Sequence, residues 1–146
     1  MSAIYERACI ELFELLEAMP VEQALEGSTM VSVSFVEVAG TSCRDMLNGG
    51  ESVKLMTDGD GQVVVQGLTE AGCFDAHELM RTITAATKLR ATSATGVHDQ
   101  SSRSHAICRV MIRKQPPPAA PWGQFTMVDL AGSERRQDSA MHDAAR

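Results

Sequence analysis

Ser101-Ser-Arg-Ser-His105 is a polar run set directly before an alternating apolar segment. Asp129-Leu-Ala-Gly132, followed by Ser133 and Glu134, leaves the end of a second apolar segment. In open α/β sheets ligands gather at the carboxyl ends of strands, and Mg²⁺ favours carboxylate and water oxygens. Gly132 then offers a backbone N–H with no side chain in the way, which suits close approach to a phosphate. Taken singly, each run has a plain reading. Ser-Ser-Arg-Ser caps helices or forms a basic kinase-type site, and an Asp like Asp129 caps turns. A Ser–His hydrolytic dyad is excluded, since Ser104 and His105 are sequence neighbours and adjacent strand residues face opposite ways. The pairing of the two runs carries the chemistry.

Those runs need strands beneath them. Ile4, Ala8, Leu12, Leu15, Leu16 and Met19 recur at helical spacing with Glu6, Glu11, Glu14 and Glu17 between them, so the sequence predicts an amphipathic helix over Ile4–Met19 ended by Pro20. Val31-Ser-Val-Ser-Phe35 alternates as a half-buried strand does, and Val36-Glu-Val38 extends it. Ala39-Gly-Thr-Ser breaks that pattern, Cys43 to Leu47 reads as a short turn, and Asn48-Gly-Gly50 is a strong turn signal. Val53–Met56 and Val63–Val65, joined through Asp58-Gly-Asp-Gly61, read as a hairpin or a broken strand. Thr69-Glu-Ala-Gly72 is expected to be a loop, Ala76–Leu89 a helix with Leu79, Ile83 and Ala86 on one face, and Ala91–Ser102 a loop. His105–Lys114 alternates with Ala106, Cys108, Val110 and Ile112 on its dry side. The proline-rich stretch from Pro116 to Pro121 is a surface connection, Phe125–Leu130 a last strand, and the residues from Arg135 onward are polar and irregular. Strands alternating with helices point to an α/β layer architecture with a mixed sheet, because the pair joined by the proline stretch is antiparallel.

Composition narrows the function. The chain has 146 residues, room for one ordinary domain, and 13 Lys+Arg against 19 Asp+Glu leave a net charge of −6. That balance speaks against a globally basic nucleic-acid binder. No apolar run approaches the ~20 residues of a bilayer-spanning helix, and the N-terminus lacks a basic start followed by an apolar core. Membrane and nucleic-acid partners are therefore not expected. Cys9, Cys43, Cys73 and Cys108 are scattered without a C-x-x-C pair, which fits reduced thiols in a cytosolic protein rather than disulfides or structural zinc. His77, His98 and His142 lack ligand spacing and read as solvated.

D-x-x-G is the pattern by which many nucleotide hydrolases sense a phosphate, and alone it recurs by chance. Together, Ser101-Ser-Arg-Ser-His105 and Val128-Asp-Leu-Ala-Gly-Ser-Glu-Arg135 resemble the two switch motifs of kinesin motor domains, complete and in order. Tyr5-Glu-Arg-Ala8 with Leu12-Phe13 resembles the helix after that family's phosphate loop. Val33–Glu37 with Asp45-Met-Leu47 resembles its next strand and D-L-L segment, and Asp58–Leu68 resembles the internal-motor kinesins that depolymerise microtubules. The resemblance implies a partial P-loop NTPase fold over residues 1–146, the central part of an ATP-dependent microtubule motor in the cytoplasm, on the cytoskeleton. Position by position it implies Ser101 and Ser102 as switch I hydroxyls, one toward the γ-phosphate of ATP and one toward Mg²⁺. Asp129 would hold the magnesium water shell, and the Gly132 N–H would sense the γ-phosphate. Arg103 and Glu134 would form the salt bridge that closes the switches and positions the attacking water.

The chain also departs from that pattern. G-x-x-x-x-G-K-[ST] does not occur in it, nor do the helices expected to form most of the microtubule-binding face, so the chain alone is expected to be inactive. His98 stands where the family has Asn, Ala39-Gly40 replaces Tyr-Asn, and Asp58–Gly61 is acidic where tubulin contacts are basic. The competing expectation is a truncated or degenerate, non-catalytic kinesin-like interaction module. A GTPase ranks far behind, since the base-reading N-K-x-D is missing. The expected loss of a strand beside the second switch strand would expose a sheet edge and leave the chain marginally stable or dependent on a partner.

Overall fold

Tyr5, Cys9 and Leu12 are spaced at i, i+4 and i+7, and they form the buried stripe of α1 (Ser2–Glu17). The computed structural model describes residues 2–19, 29–93, 104–114 and 121–132. The stripe is turned from the expected one: Ile4 and Leu15 face solvent, while Phe13 and Leu16 pack partly against the core. The second helix, α2 (Ala76–Ser93), starts on a cap the sequence carries plainly. Asp75 accepts the Glu78 N–H at 2.7 Å, and the Glu78 carboxylate reaches back to the Phe74 N–H at 3.0 Å. It runs four residues beyond the expected Leu89, so Arg90 to Ser93 are helical where a loop was expected from Ala91.

The strands are β1 (Thr29–Ala39), β2 (Ser42–Asp45), β3 (Glu51–Ser52), β4 (Lys54–Thr57), β5 (Val63–Gln66), β6 (Ala71–Cys73), β7 (His105–Lys114) and β8 (Pro121–Asp129). The main sheet has the order β3-β2-β1-β7-β8, with β6 also pairing β1. Every pairing between described strands is antiparallel, the pair joined by the proline stretch included, and the helices pack on the sheet in the expected α/β layering. β8 is the outer strand of this set, and Pro121 opens it opposite Arg113, beside a register shift. The sequence reading put Pro121 outside any sheet; as first residue of an outer strand it costs no ladder bond.

An expected loop and an expected turn both contribute strands. Ala71–Cys73 pairs with Val31–Val33, and Ser42–Asp45 pairs with Val36–Ala39. Both are too short to show a period, and β1 supplies the template. β1 itself is buried on both faces from Val31 to Glu37 rather than half-buried. Its hydroxyl face is closed by the Arg113–Glu70 pair, whose Nη1–Oε2 distance is 2.7 Å, and Arg113 Nη1 also donates to Ser32 Oγ at 2.7 Å.

The Asn48-Gly-Gly50 turn forms as expected, around fully buried Asp45, whose carbonyl accepts the Gly50 N–H at 2.8 Å. Asp45 carboxylate oxygens accept the Leu47 and Thr69 N–H groups at 2.9 and 2.8 Å. Gly50 has φ +79°, and a Cβ there would lie 2.7 Å from an Arg44 nitrogen, so this turn requires glycine. β4 and β5 form the expected hairpin as a separate two-stranded sheet. Asp58 closes its turn by accepting the Asp60 and Gln62 N–H groups at 3.0 and 2.8 Å.

The core lies between the two helices and one face of the sheet. Val31, Val33 and Phe35 of β1 and Ala106, Cys108 and Val110 of β7 meet Leu79, Ile83 and Ala86 of α2. All four cysteines are buried and free. Burial, with the neighbouring Cys9 adding to it, pushes the Cys108 thiol up to about 12, so this sulfur stays a small apolar side chain.

Candidate functional site

Three elements each end their apolar stripe on a charge. In β1, Val31, Val33 and Phe35 are followed on the same face by Glu37. In α2, Leu79, Ile83 and Ala86 are followed one turn on by Arg90. In β8, Phe125 and Met127 are followed by Asp129. The sheet register joins two of these charges, because Glu37 lies opposite Ala106 and Ala106 opposite Asp129. The two carboxylates thus flank a small residue in one cross-strand row, and Arg90 comes down over it from the last turn of α2.

Arg90 Nη1 binds Asp129 Oδ2 at 2.7 Å, and Nη2 donates to the Ser104 carbonyl at 2.9 Å. Its Nε lies 3.5 Å from Glu37 Oε1, the same oxygen that accepts the Ser104 hydroxyl at 2.8 Å. Arg44 approaches the other Glu37 oxygen at 3.5 Å. The Arg90 and Glu37 side chains are 10% and 7% exposed, so their charges have little water and depend on one another, whereas Asp129 keeps 38%. Arg90 at a helix C-terminus also gains from the helix dipole. Tyr5, on α1, lies within the field of this cluster. Burial first, then the charges of Cys108 and Asp129, push its hydroxyl above the ordinary range, with Arg90 opposing. Tyr5 therefore stays neutral rather than adding a third negative charge.

Ser104 is the fourth residue of the first polar run, and Asp129 opens the second. Arg90 therefore ties the roots of both to one guanidinium. A second link runs between them: His105 Nδ1 accepts the Ala131 N–H at 3.1 Å. Gly132 is exposed beyond it. Of the residues assigned roles from sequence, Asp129 and Gly132 are within the described residues. Ser101, Ser102, Arg103 and Glu134 lie outside them, as do His98 and His142.

Among the described residues no group of three or more His, Cys, Asp or Glu side chains is arranged to hold a metal ion. A half-exposed carboxylate with one oxygen held by Arg90 fits Mg²⁺ better through a water than as part of a protein cage, which is how Mg²⁺ is ordinarily bound. The sequence reading missed Arg90 and Glu37. The available signal was a charged residue continuing a buried stripe, since such a charge must find a partner inside. No helix of the described residues is long and apolar enough to cross a membrane.

The family model of the kinesin motor domain matches residues 1–146. Diatom spindle kinesin-1 of Cylindrotheca fusiformis is 37% identical over 116 residues, covering 80% of this chain and 18% of that protein. Kinesin-like protein KIN-13B of Arabidopsis thaliana is 36% identical over 116 residues, covering 76% and 17%. Kinesin-like protein KIF19 of Mus musculus is 32% identical over 138 residues, covering 90% and 13%. The chain thus spans less than a fifth of the length of these relatives. The solved structure of a fast kinesin superposes with a TM-score of 0.70 at 27% identity, covering 86% of this chain and 36% of that one. With its antiparallel core sheet, its paired motif roots and these matches, the chain is a fragment of a motor domain and belongs to the kinesin motor-domain family.

Proposed function

We propose that residues 1–146 are the central part of an ATP-dependent microtubule motor domain, and that its two polar runs form the γ-phosphate side of the nucleotide site. The observation that carries this reading is Arg90 holding Asp129 and Ser104 at once, at 2.7 and 2.9 Å, which brings the two runs to a common origin. Bound Mg²⁺ supplies charge neutralisation on the phosphates of ATP. Asp129, with Oδ2 held by Arg90 and 38% of its side chain exposed, would hold that ion through water. Ser102 would supply a magnesium ligand and Ser101 a hydroxyl toward the γ-phosphate. The Gly132 N–H donates to that phosphate, and Arg103 with Glu134 closes over it and orders the attacking water. In phosphoryl transfer such positioning and charge stabilisation are most of catalysis. Loops held by a terminal phosphate and released on its loss make a mechanical switch. The partner is tubulin in the microtubule, the setting the cytoplasmic cytoskeleton, and the domain spans the whole chain.

The test is Mg·ATP binding and turnover in the complete protein, beside the 146-residue chain. The complete protein is expected to bind ATP, and the short chain is expected not to, because it lacks G-x-x-x-x-G-K-[ST]. Arg103→Ala and Glu134→Ala in the complete protein should keep ATP affinity and lose turnover by 10²-fold or more, as expected for groups acting on the transition state. Normal hydrolysis by both variants removes the salt-bridge role. Absence of ATP binding by the complete protein favours the non-catalytic interaction module.

A further inference from the structure

His105 ends the first polar run, yet nothing in the proposed chemistry uses it. It begins β7, where its cross-strand neighbour on β1 is Val38, and its ring is half-buried. Adjacent strand residues face opposite sides, so the imidazole lies across the sheet from the Arg90 cluster, which faces Ala106 and Asp129. Its Nδ1 accepts the Ala131 N–H at 3.1 Å, so the ring proton sits on Nε2. Ala131 lies within the turn that leaves Asp129, between Leu130, 70% exposed, and Gly132, also exposed. Side-chain packing therefore does little to hold this turn. The held Ala131 amide lies one peptide before the one that carries the Gly132 N–H, with only the two torsions of Ala131 between them.

We infer that His105 is a positioning residue: as the last residue of the first run, it braces the turn of the second through the Ala131 amide and passes movement of one to the other. The sheet then holds the two runs from both sides. Arg90 grips Ser104 and Asp129 on the helix face, and His105 grips Ala131 on the other. The two grips differ in kind. Arg90 binds by charge in a buried cluster, while His105 makes a single neutral hydrogen bond, weak enough to break and remake. A ligand that displaced the first run would pull on His105, and the pull would arrive one residue before Gly132. The brace is a property of this chain's residues; its role in sensing a phosphate rests on the reading given under Proposed function.

The experiment measures amide exchange at Ala131 in the complete protein, with Val110 in the core of β7 as an internal control. His105→Ala removes the acceptor. His105→Asn restores one, since Asn Oδ1 stands the same number of bonds from the backbone as His Nδ1. His105→Ala is expected to speed Ala131 exchange roughly two- to tenfold, the loss of one net hydrogen bond. His105→Asn should return it toward wild type, and Val110 should be unchanged in both. Unchanged Ala131 exchange in His105→Ala overturns the inference. So does acceleration that Asn fails to restore, or one that spreads to Val110, because either marks a merely structural role. In the complete protein, His105→Ala should lower kcat with little change in the apparent affinity for Mg·ATP, with Asn again restoring it. If the wild-type complete protein binds no ATP, the proposed function fails while the exchange result on Ala131 still stands or falls alone.

Discussion

The sheet carries two clusters built from the same three residue types, an arginine, a glutamate and a serine, and they behave differently. On the helix face Arg90, Glu37 and Ser104 are joined by Asp129. On the opposite face Arg113, Glu70 and Ser32 form a cluster with a single carboxylate among the described residues, with Arg109 nearby. Arg113 forms a closed fork on one carboxylate, with contacts of 2.7 and 3.1 Å, and that carboxylate keeps 42% exposure. Arg90 instead divides itself between two carboxylates, 2.7 Å from Asp129 and 3.5 Å from the more deeply buried Glu37. A closed fork has one good arrangement and acts as a fastener. A shared guanidinium has two acceptors in competition, so a change at Asp129, such as a nearby cation, alters what Arg90 gives to Glu37. The cluster in which the charge is divided is the one that joins the roots of the two polar runs.

The largest effect that separates the two clusters is removal of each arginine. Arg90→Met leaves Glu37 buried with only Arg44 beside it, and the Ser104 carbonyl without the Arg90 donor, and should cost about 3–5 kcal/mol. Arg113→Met leaves Glu70 with access to water and should cost only about 1 kcal/mol. Urea denaturation of both variants at neutral pH compares them directly, and equal losses would erase the distinction. An intermediate effect is expected of Glu37→Gln. Its amide oxygen still accepts the Ser104 hydroxyl, but Arg90 then serves Asp129 alone, for a loss of about 1–2 kcal/mol. Pairing Glu37→Gln with Asp129→Asn in a double-mutant cycle measures the sharing itself, and additive losses would show that the two carboxylates do not compete.

Much of this arrangement was legible in the residues, and what was missed shares one cause. Long elements with a clear period, α1, β1, α2 and β7, are recovered with bounds close to those expected, and the Asp58–Gly61 turn gives the hairpin its loop. β6 and β2 fall where the sequence predicts a loop and a short turn, because three or four residues hold no period, and they form on the partner that β1 offers. Arg90 was lost because the helix was stopped at Leu89, one residue short of it. Glu37 was read as the extension of a strand with no task, although it occupies the inward face that Phe35 had just defined. What brings Glu37, Ala106 and Asp129 into one row is cross-strand register, which no local pattern contains. The roots of the site were thus present as residues, and their meeting was not.

The smallest expected effect is the most specific to the fastener. The side-chain bonds from Arg113 come first in holding the Glu70 carboxyl below its ordinary range, against the opposing pull of burial. The charge of Arg113, the Ser32 hydroxyl and Arg109 lower it further. A carboxylate whose folded value is depressed binds fewer protons folded than unfolded, so its contribution is complete above the unfolded value, about 4.3 for Glu. That contribution is lost as pH falls through the folded value. The stability gap between wild type and Arg113→Met should therefore be widest near neutral pH and close below about pH 4. Arg109 and Ser32 remain in the variant, so a shallow acid slope should persist in it. Urea midpoints of both proteins from pH 7 down to pH 3 give the comparison. A gap that stays constant through that range would mean that Arg113 stabilises through the packing of its methylene stem rather than through its charge on Glu70.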